Sequence, residues 1–240
     1  LQWILDEKET GFPCDLLGVP ALAKKRNPTK QLVQTIAGIK SEHTYGRVGR
    51  PINANKLFDC LPRAIPTGLY FYSDPMRAFS AGCDLGAITH SHPTAYLATG
   101  CLSSIIAFIC KGNTMKILKG YDGFEDCFAA LDKALALLDE NTSPLTDVAE
   151  LGNGSTADSA LAIGVYCACV HYDYLSAVQL AANQDGISDI CAFIAGALKG
   201  ALLGYSEIPS GFVKKLQFAD MVKDYAARLT KAAPKGFMNK

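Results

Sequence analysis

Apolar positions along this chain recur at three- and four-residue spacing, and few windows alternate as a half-buried strand would. The pattern predicts helices over Thr29–Ile39, from the Ser73-Asp74-Pro75 cap through Ala87, from Pro93 to Cys110, and over Phe124–Leu138. A short helix follows from Pro144 to Leu151. Thr156-Ala157-Asp158-Ser159 caps a strongly apolar helix that ends near His171. Leu175–Ala182 and Ile190–Leu203 come next, with Gly204 where a left-handed C-cap would fall. Val213–Thr230 closes the chain as one amphipathic helix. Loops are expected at Gly11–Arg26, Glu42–Pro66, Gly112–Gly123 and Asn141–Ser143. The fold class is therefore all-α, in a single domain without internal repeats. The small residues of Ala195-Gly196-Ala197-Leu198-Lys199-Gly200-Ala201 allow close approach of helix axes, which marks a central helix.

Composition adds a large buried core. Of 240 residues, 49% are hydrophobic and 19% charged, which suits a globular chain rather than a disordered one. Lys+Arg and Asp+Glu both number 23, so no charge excess draws the chain to nucleic acid or an anionic membrane. The apolar stretches Leu102–Cys110 and Ala160–Val170 fall short of a bilayer span. Leu1-Gln2-Trp3-Ile4-Leu5-Asp6-Glu7 does not read as a signal peptide. The nine cysteines (Cys14, Cys60, Cys83, Cys101, Cys110, Cys127, Cys167, Cys169, Cys191) show no CxxC pair or zinc spacing and read as reduced core thiols of a cytoplasmic protein.

Two stretches carry candidate chemistry. Thr89-His90-Ser91-His92-Pro93 sits at a helix junction. Such a pair can ligate a metal, move protons, or satisfy backbone groups at helix ends. Asn183-Gln184-Asp185-Gly186-Ile187-Ser188-Asp189-Ile190 forms a short loop between two buried helices, with two carboxylates, Asp185 and Asp189, four residues apart. Glu125, Asp126 and Asp132 read as a solvated helix face, and Lys24-Lys25-Arg26 as a solvated basic triplet. His43 and His171 have no partner by spacing. No nucleophile elbow, P-loop or dinucleotide fingerprint occurs.

Taken in order, these stretches resemble the ADP-ribosylglycohydrolase family. Ile88–Gly112 resembles its Thr-His-Gly-His-Pro segment and small-residue helix, Gly154–Gly204 its helix–metal-loop–helix unit, and Arg63-Ala64-Ile65-Pro66-Thr67-Gly68-Leu69 its Met-Arg-Val-Ala-Pro-x-Gly-Leu. The resemblance implies a compact orthogonal helical bundle, two magnesium ions, and an ADP-ribose-containing ligand or ADP-ribosylated protein as partner. It also implies substrate-binding roles for Arg63, His90 and His92.

The departures are as specific as the matches. The family's Gly-Asp-Ser/Thr-Asp-Ser/Thr metal loop reads here Gly186-Ile187-Ser188-Asp189-Ile190. An isoleucine offers no oxygen to a hard cation that demands near-octahedral oxygen coordination. Asp189 and Ser188 remain, with Asp185 as a possible substitute. The family's Ser-Lys-Gly-Cys-Gly-Gly-Val-Met-Arg becomes Asn55-Lys56-Leu57-Phe58-Asp59-Cys60-Leu61-Pro62-Arg63, with every glycine gone and Asp59 placed to repel a diphosphate. No Asp-Asp-Thr, the family's other metal motif, occurs in these residues. The segment bearing it either lies outside this chain or is lacking.

Three functions are consistent with that pattern. The first is a degenerate member, acting by ligand or protein binding or as a structural protein. The second is a magnesium-dependent hydrolase removing ADP-ribose, with an upstream segment missing. The third is a metal-free glycosidase, for which Asp59 and Asp189 are the carboxylates available.

Overall fold

A computed structural model describes residues 28–39, 44–112, 125–139 and 142–234, with Val19 besides. Eleven α-helices run through them: α1 (Lys30–Gly38), α2 (Ala64–Tyr70), α3 (Pro75–Ala87), α4 (Pro93–Cys110), α5 (Glu125–Ala136), α6 (Pro144–Glu150), α7 (Ala157–Val170), α8 (Tyr174–Ala182), α9 (Ser188–Leu203), α10 (Ser210–Lys215) and α11 (Ala219–Ala232). Extended pairing among the described residues is confined to two isolated bridges, Arg47–Arg50 and Leu57–Thr156. The structure is all-α.

Local chemistry places the helix starts where the caps lie. Thr29 Oγ1 accepts from Leu32 N, Asp74 Oδ1 from Arg77 N and Asp173 Oδ1 from Ser176 N. Each satisfies an N–H that has no intrahelical acceptor. Pro75, Pro93 and Pro144 occupy first turns, where a missing N–H costs nothing. Thr156 makes no side-chain cap bond, contrary to expectation. Ser159 Oγ instead donates to Leu151 O and accepts from Gly154 N, fastening the preceding loop. Gly204 ends α9 at φ +88° and ψ 168°, a positive-φ extended conformation rather than a left-handed helical one.

Three further expectations are corrected. The end of the Glu42–Pro66 loop is helical: Phe58–Arg63 forms a 3-10 segment that runs directly into α2. Pro66 stands in the first turn of α2, so its ring breaks no hydrogen bond. The closing helix is two helices, parted at Leu216–Phe218. The apolar pair Val213 and Leu216 does not continue in helical phase into Val222, Tyr225 and Leu229. The metal-loop candidates Ser188 and Asp189 lie inside the first turn of α9, so the loop is only Asn183–Ile187.

α4 is the hub. It packs against α3 and α2 on one side and α7 on the other, and α7 in turn meets α5, α8 and α9. The α3–α4 contact is closest at Gly82 and Gly100. A Cβ on Gly82 would stand 2.4 Å from Ser103 Oγ and 2.9 Å from Gly100 Cα. By length and composition α4 could cross a membrane, against the reading that no stretch is long enough. In this fold its apolar surface is buried by neighbouring helices.

The core holds one deeply buried polar link. Tyr166, 1% exposed on α7, donates to Asp147 Oδ2 on α6, and Thr142 Oγ1 donates to the other carboxylate oxygen at 2.6 Å. Burial, then the bond to Asp147, pushes the Tyr166 phenol above its ordinary range. Tyr166→Phe leaves a buried carboxylate short of one donor. We expect a loss of about 1–3 kcal/mol in urea unfolding at pH 7. An unchanged unfolding midpoint would mean that the bond adds nothing.

Candidate functional site

The stretches singled out in the sequence converge on one end of the bundle. The extended segment Ile52–Leu57 organises it, because asparagine side chains mimic backbone turns. Asn53 Oδ1 accepts from Asn55 N and Ser91 N, while its Nδ2 donates to Thr35 Oγ1 and Thr89 O, each at 3.0–3.1 Å. One side chain thus ties α1 to the junction between α3 and α4. Asn55 Oδ1 accepts from Leu57 N. Leu57 bridges Thr156, and Lys56 O accepts from Ala157 N, so the same segment reaches the start of α7.

Behind this segment lie the histidines. His90 is fully buried. Its Nδ1 stands 2.8 Å from Thr89 Oγ1, and its Nε2 lies 3.6 Å from Asp59 Oδ2 without a hydrogen bond. Asp59 Oδ2 accepts from Thr29 Oγ1 at 2.9 Å. His92 is different: its Nδ1 accepts from Thr94 N, so it caps α4. Arg63 points its guanidinium at Leu85 O, 3.0 Å away, and burial lowers its pKa. Cys60 in the same turn donates towards Leu57 O and Ala95 O. Burial pushes that thiol up to about 11, which favours the protonated form near neutral pH.

The Asn183–Ile187 loop packs against the turn before α7. Gln184 Oε1 accepts from Gly186 N, and Ile187 N donates to Asn153 O at 2.8 Å. A Cβ on Gly186 would stand 2.1 Å from Asn153 O, so only glycine permits this contact. Asp185 and Asp189 are exposed, and Asp189 Oδ1 accepts only from the next N–H, Ile190 N. The two positions where the sequence lacks oxygen are packed apolar ones. Ile190 is 7% exposed within the core cluster, and Ile187 packs against that cluster. Among the described residues no three His, Cys, Asp or Glu side chains gather as a metal site would need. Asp185 and Asp189 thus present two exposed carboxylates four residues apart, with no third His, Cys, Asp or Glu gathered beside them among the described residues.

A cleft of about 500 Å³ opens beside the site, between α1 and the extended segment. Gln31, Gln34 and Thr35 line one wall, and Ile52, Asn53 and Asn55 the other. Asn55 Nδ2 is buried there with no hydrogen-bond partner.

Sequence reasoning placed Arg63, His90 and His92 at this end but missed Asn53, Asn55 and the role of α1. The signal was the Asn53-Ala54-Asn55 spacing, which favours successive side-chain-to-backbone turns. Asp132 is exposed, as a solvated face requires, and His171 caps the end of α7. The basic triplet, His43, Cys14, the N-terminal residues and the side chains of Glu125 and Asp126 lie outside the described residues.

The ADP-ribosylglycohydrolase family model matches residues 3–236, and the chain belongs to that family. A solved structure, "ADP-ribosylglycohydrolase-related protein complex", is similar in fold at a TM-score of 0.61 and 19% identity. The similarity covers 86% of this chain and 69% of that one. No curated protein matches the chain.

Proposed function

We propose that this chain is a family member that acts by binding a ligand or protein partner, without hydrolysis through a dinuclear magnesium centre. The observation that carries this reading is the packing of Ile187 and Ile190. Where the resemblance calls for oxygen ligands, these side chains serve the hydrophobic core. Burial of such a side chain contributes roughly 1.5–3 kcal/mol, so the loop has a structural reason to stay apolar. The crowded Leu57-Phe58-Asp59 turn supports the same reading, since it fills the place of a glycine loop with bulk and a carboxylate. Family membership points to ADP-ribose-containing molecules or ADP-ribosylated proteins as partners, and the free thiols suit a reducing, cytoplasmic setting.

Calorimetric titration of ADP-ribose, with and without magnesium, tests the reading. We expect any binding heat to be the same in both, and no release of free ADP-ribose from a modified protein. Binding that tightens with magnesium, or hydrolysis that requires it, would overturn the proposal in favour of a metal-dependent hydrolase.

A further inference from the structure

Thiols gather where α3, α4 and α5 meet. Cys127 Sγ, on α5, donates to Cys101 Sγ, on α4, across 3.9 Å. The two residues are 1% and 3% exposed. Cys101 lies more than two turns along α4 from His92, apart from the site described above. Sulfur is a weak acceptor. A buried thiol can find better ones, as Cys60 does in Leu57 O and Ala95 O. The S–H···S contact therefore adds little to the packing of α4 and α5. What it does is hold two sulfurs side by side, on different helices and 26 positions apart in the chain. Cys83, on α3, is a neighbour, with its Sγ 2.4 Å from where a Cβ on Gly100 would stand. Burial, then Asp84 and Cys127, pushes that thiol up to about 12, so it stays protonated near neutral pH.

A disulfide needs its sulfurs about 2.05 Å apart. From 3.9 Å, each sulfur must move by about 1 Å, a displacement on the scale of a side-chain torsion rather than of a helix. The partner helix also sits where an oxidant gains entry. α5 turns Cys127, Leu131 and Ala134 to the core, and Asp132, Lys133 and Ala136 to solvent, so it lies at the edge of the bundle. Edge elements open locally at lower cost than the hub they pack on. In a compartment that keeps thiols reduced, a pair that closes only under oxidation reports the oxidant.

We infer that Cys101 and Cys127 are a redox pair, oxidised by a peroxide to a disulfide that ties α5 to α4. One thiol is oxidised to a sulfenic acid as the O–O bond breaks, and a water leaves. The second thiol attacks that sulfur, the S–S bond forms, and a second water leaves. Two thiols thus lose two electrons and two protons, and the peroxide takes both. A thiol reductant reverses the step by exchange. The pair acts whatever ligand the chain binds. The test is peptide mass spectrometry of the native full chain after treatment with hydrogen peroxide, with the remaining thiols alkylated before digestion. Cys110 is exposed and gauges the dose. We expect Cys127 joined to Cys101, the bridge lost on adding dithiothreitol, and a melting temperature roughly 5–10 °C above that of the reduced chain. Cys101→Ser should remove both the bridge and the shift. Cys127 still reduced when Cys110 is fully oxidised would overturn the inference. So would Cys127 bridged to Cys83, or a bridged chain no more stable than the reduced one.

Discussion

Restoring the missing oxygens to the metal loop should damage the fold without making a metal site. In the double variant Ile187→Asp/Ile190→Ser we expect a loss of roughly 3–6 kcal/mol, because a buried side chain is truncated and a charge is set against apolar packing. Ile190 sits in the core, and Ile187 also touches the turn that holds Gly154. The new carboxylate would stand two residues from each of Asp185 and Asp189, adding like-charge repulsion in a loop whose backbone is pinned to Asn153. For a domain of this size that loss lowers the melting temperature by roughly 10–20 °C, at about 2–4 °C per kcal/mol. The two sites are three residues apart on one turn, so their effects will not simply add. Magnesium should not restore the lost stability, since a ligand stabilises a fold only in proportion to its affinity for it. Thermal melts of both chains with and without magnesium measure this directly. Recovery of the variant by magnesium would show that the remaining donors are already arranged to receive a metal, and the binding-only reading would not survive.

The helical frame was legible because its punctuation is chemical. Asp74-Pro75, Pro93 and Pro144 fix helix starts by capping and by a tolerated missing N–H, and the structure begins α3, α4 and α6 there. α2 was not legible, since Pro62, Pro66 and Gly68 punctuate a segment that becomes helical only by packing on α4. A Cβ on Gly68 would meet Ser103 O at 2.4 Å, so this glycine marks close approach to α4 rather than a turn. At the site, His90 and His92 read as a pair and turn out to have separate tasks. Two residues apart at a helix junction, one is buried against Asp59 and the other caps α4. No spacing rule separates those roles, because they depend on what the junction packs against. The carboxamide cleft was illegible for a related reason. Gln31, Gln34 and Thr35 look like an ordinary solvated stripe until the Ile52–Leu57 segment is laid opposite them.

Above pH 9 the protein should lose stability steeply. Four thiols, Cys60, Cys83, Cys167 and Cys191, are buried in the core, at most 5% exposed. Burial pushes Cys60 up from an ordinary value of 9.0 to about 11, and the other three to about 12. A raised value in the folded state means that folding favours the protonated thiol. That contribution is complete below pH 9, where both states are protonated. It is lost as the unfolded chain ionises and the folded one does not, up to the folded values of about 11 and 12. Each thiol contributes about 1.4 kcal/mol per pH unit in that window. At pH 10 the four together remove on the order of 5 kcal/mol, a large share of the roughly 5–15 kcal/mol that holds an ordinary domain folded. Urea unfolding at pH 7, 8, 9 and 10 should therefore show a flat plateau and then a sharp fall. Cys191→Ala, which removes one of the four, should start lower through its small cavity and descend less steeply by about a quarter. Thiolate absorbance in the folded protein supplies the independent check. A native thiol signal already rising at pH 9, or stability unchanged to pH 11, would mean that the buried thiols are reached by water. Cys60, in the turn beside Asp59 and His90, would then regain the nucleophilic character that its burial denies it.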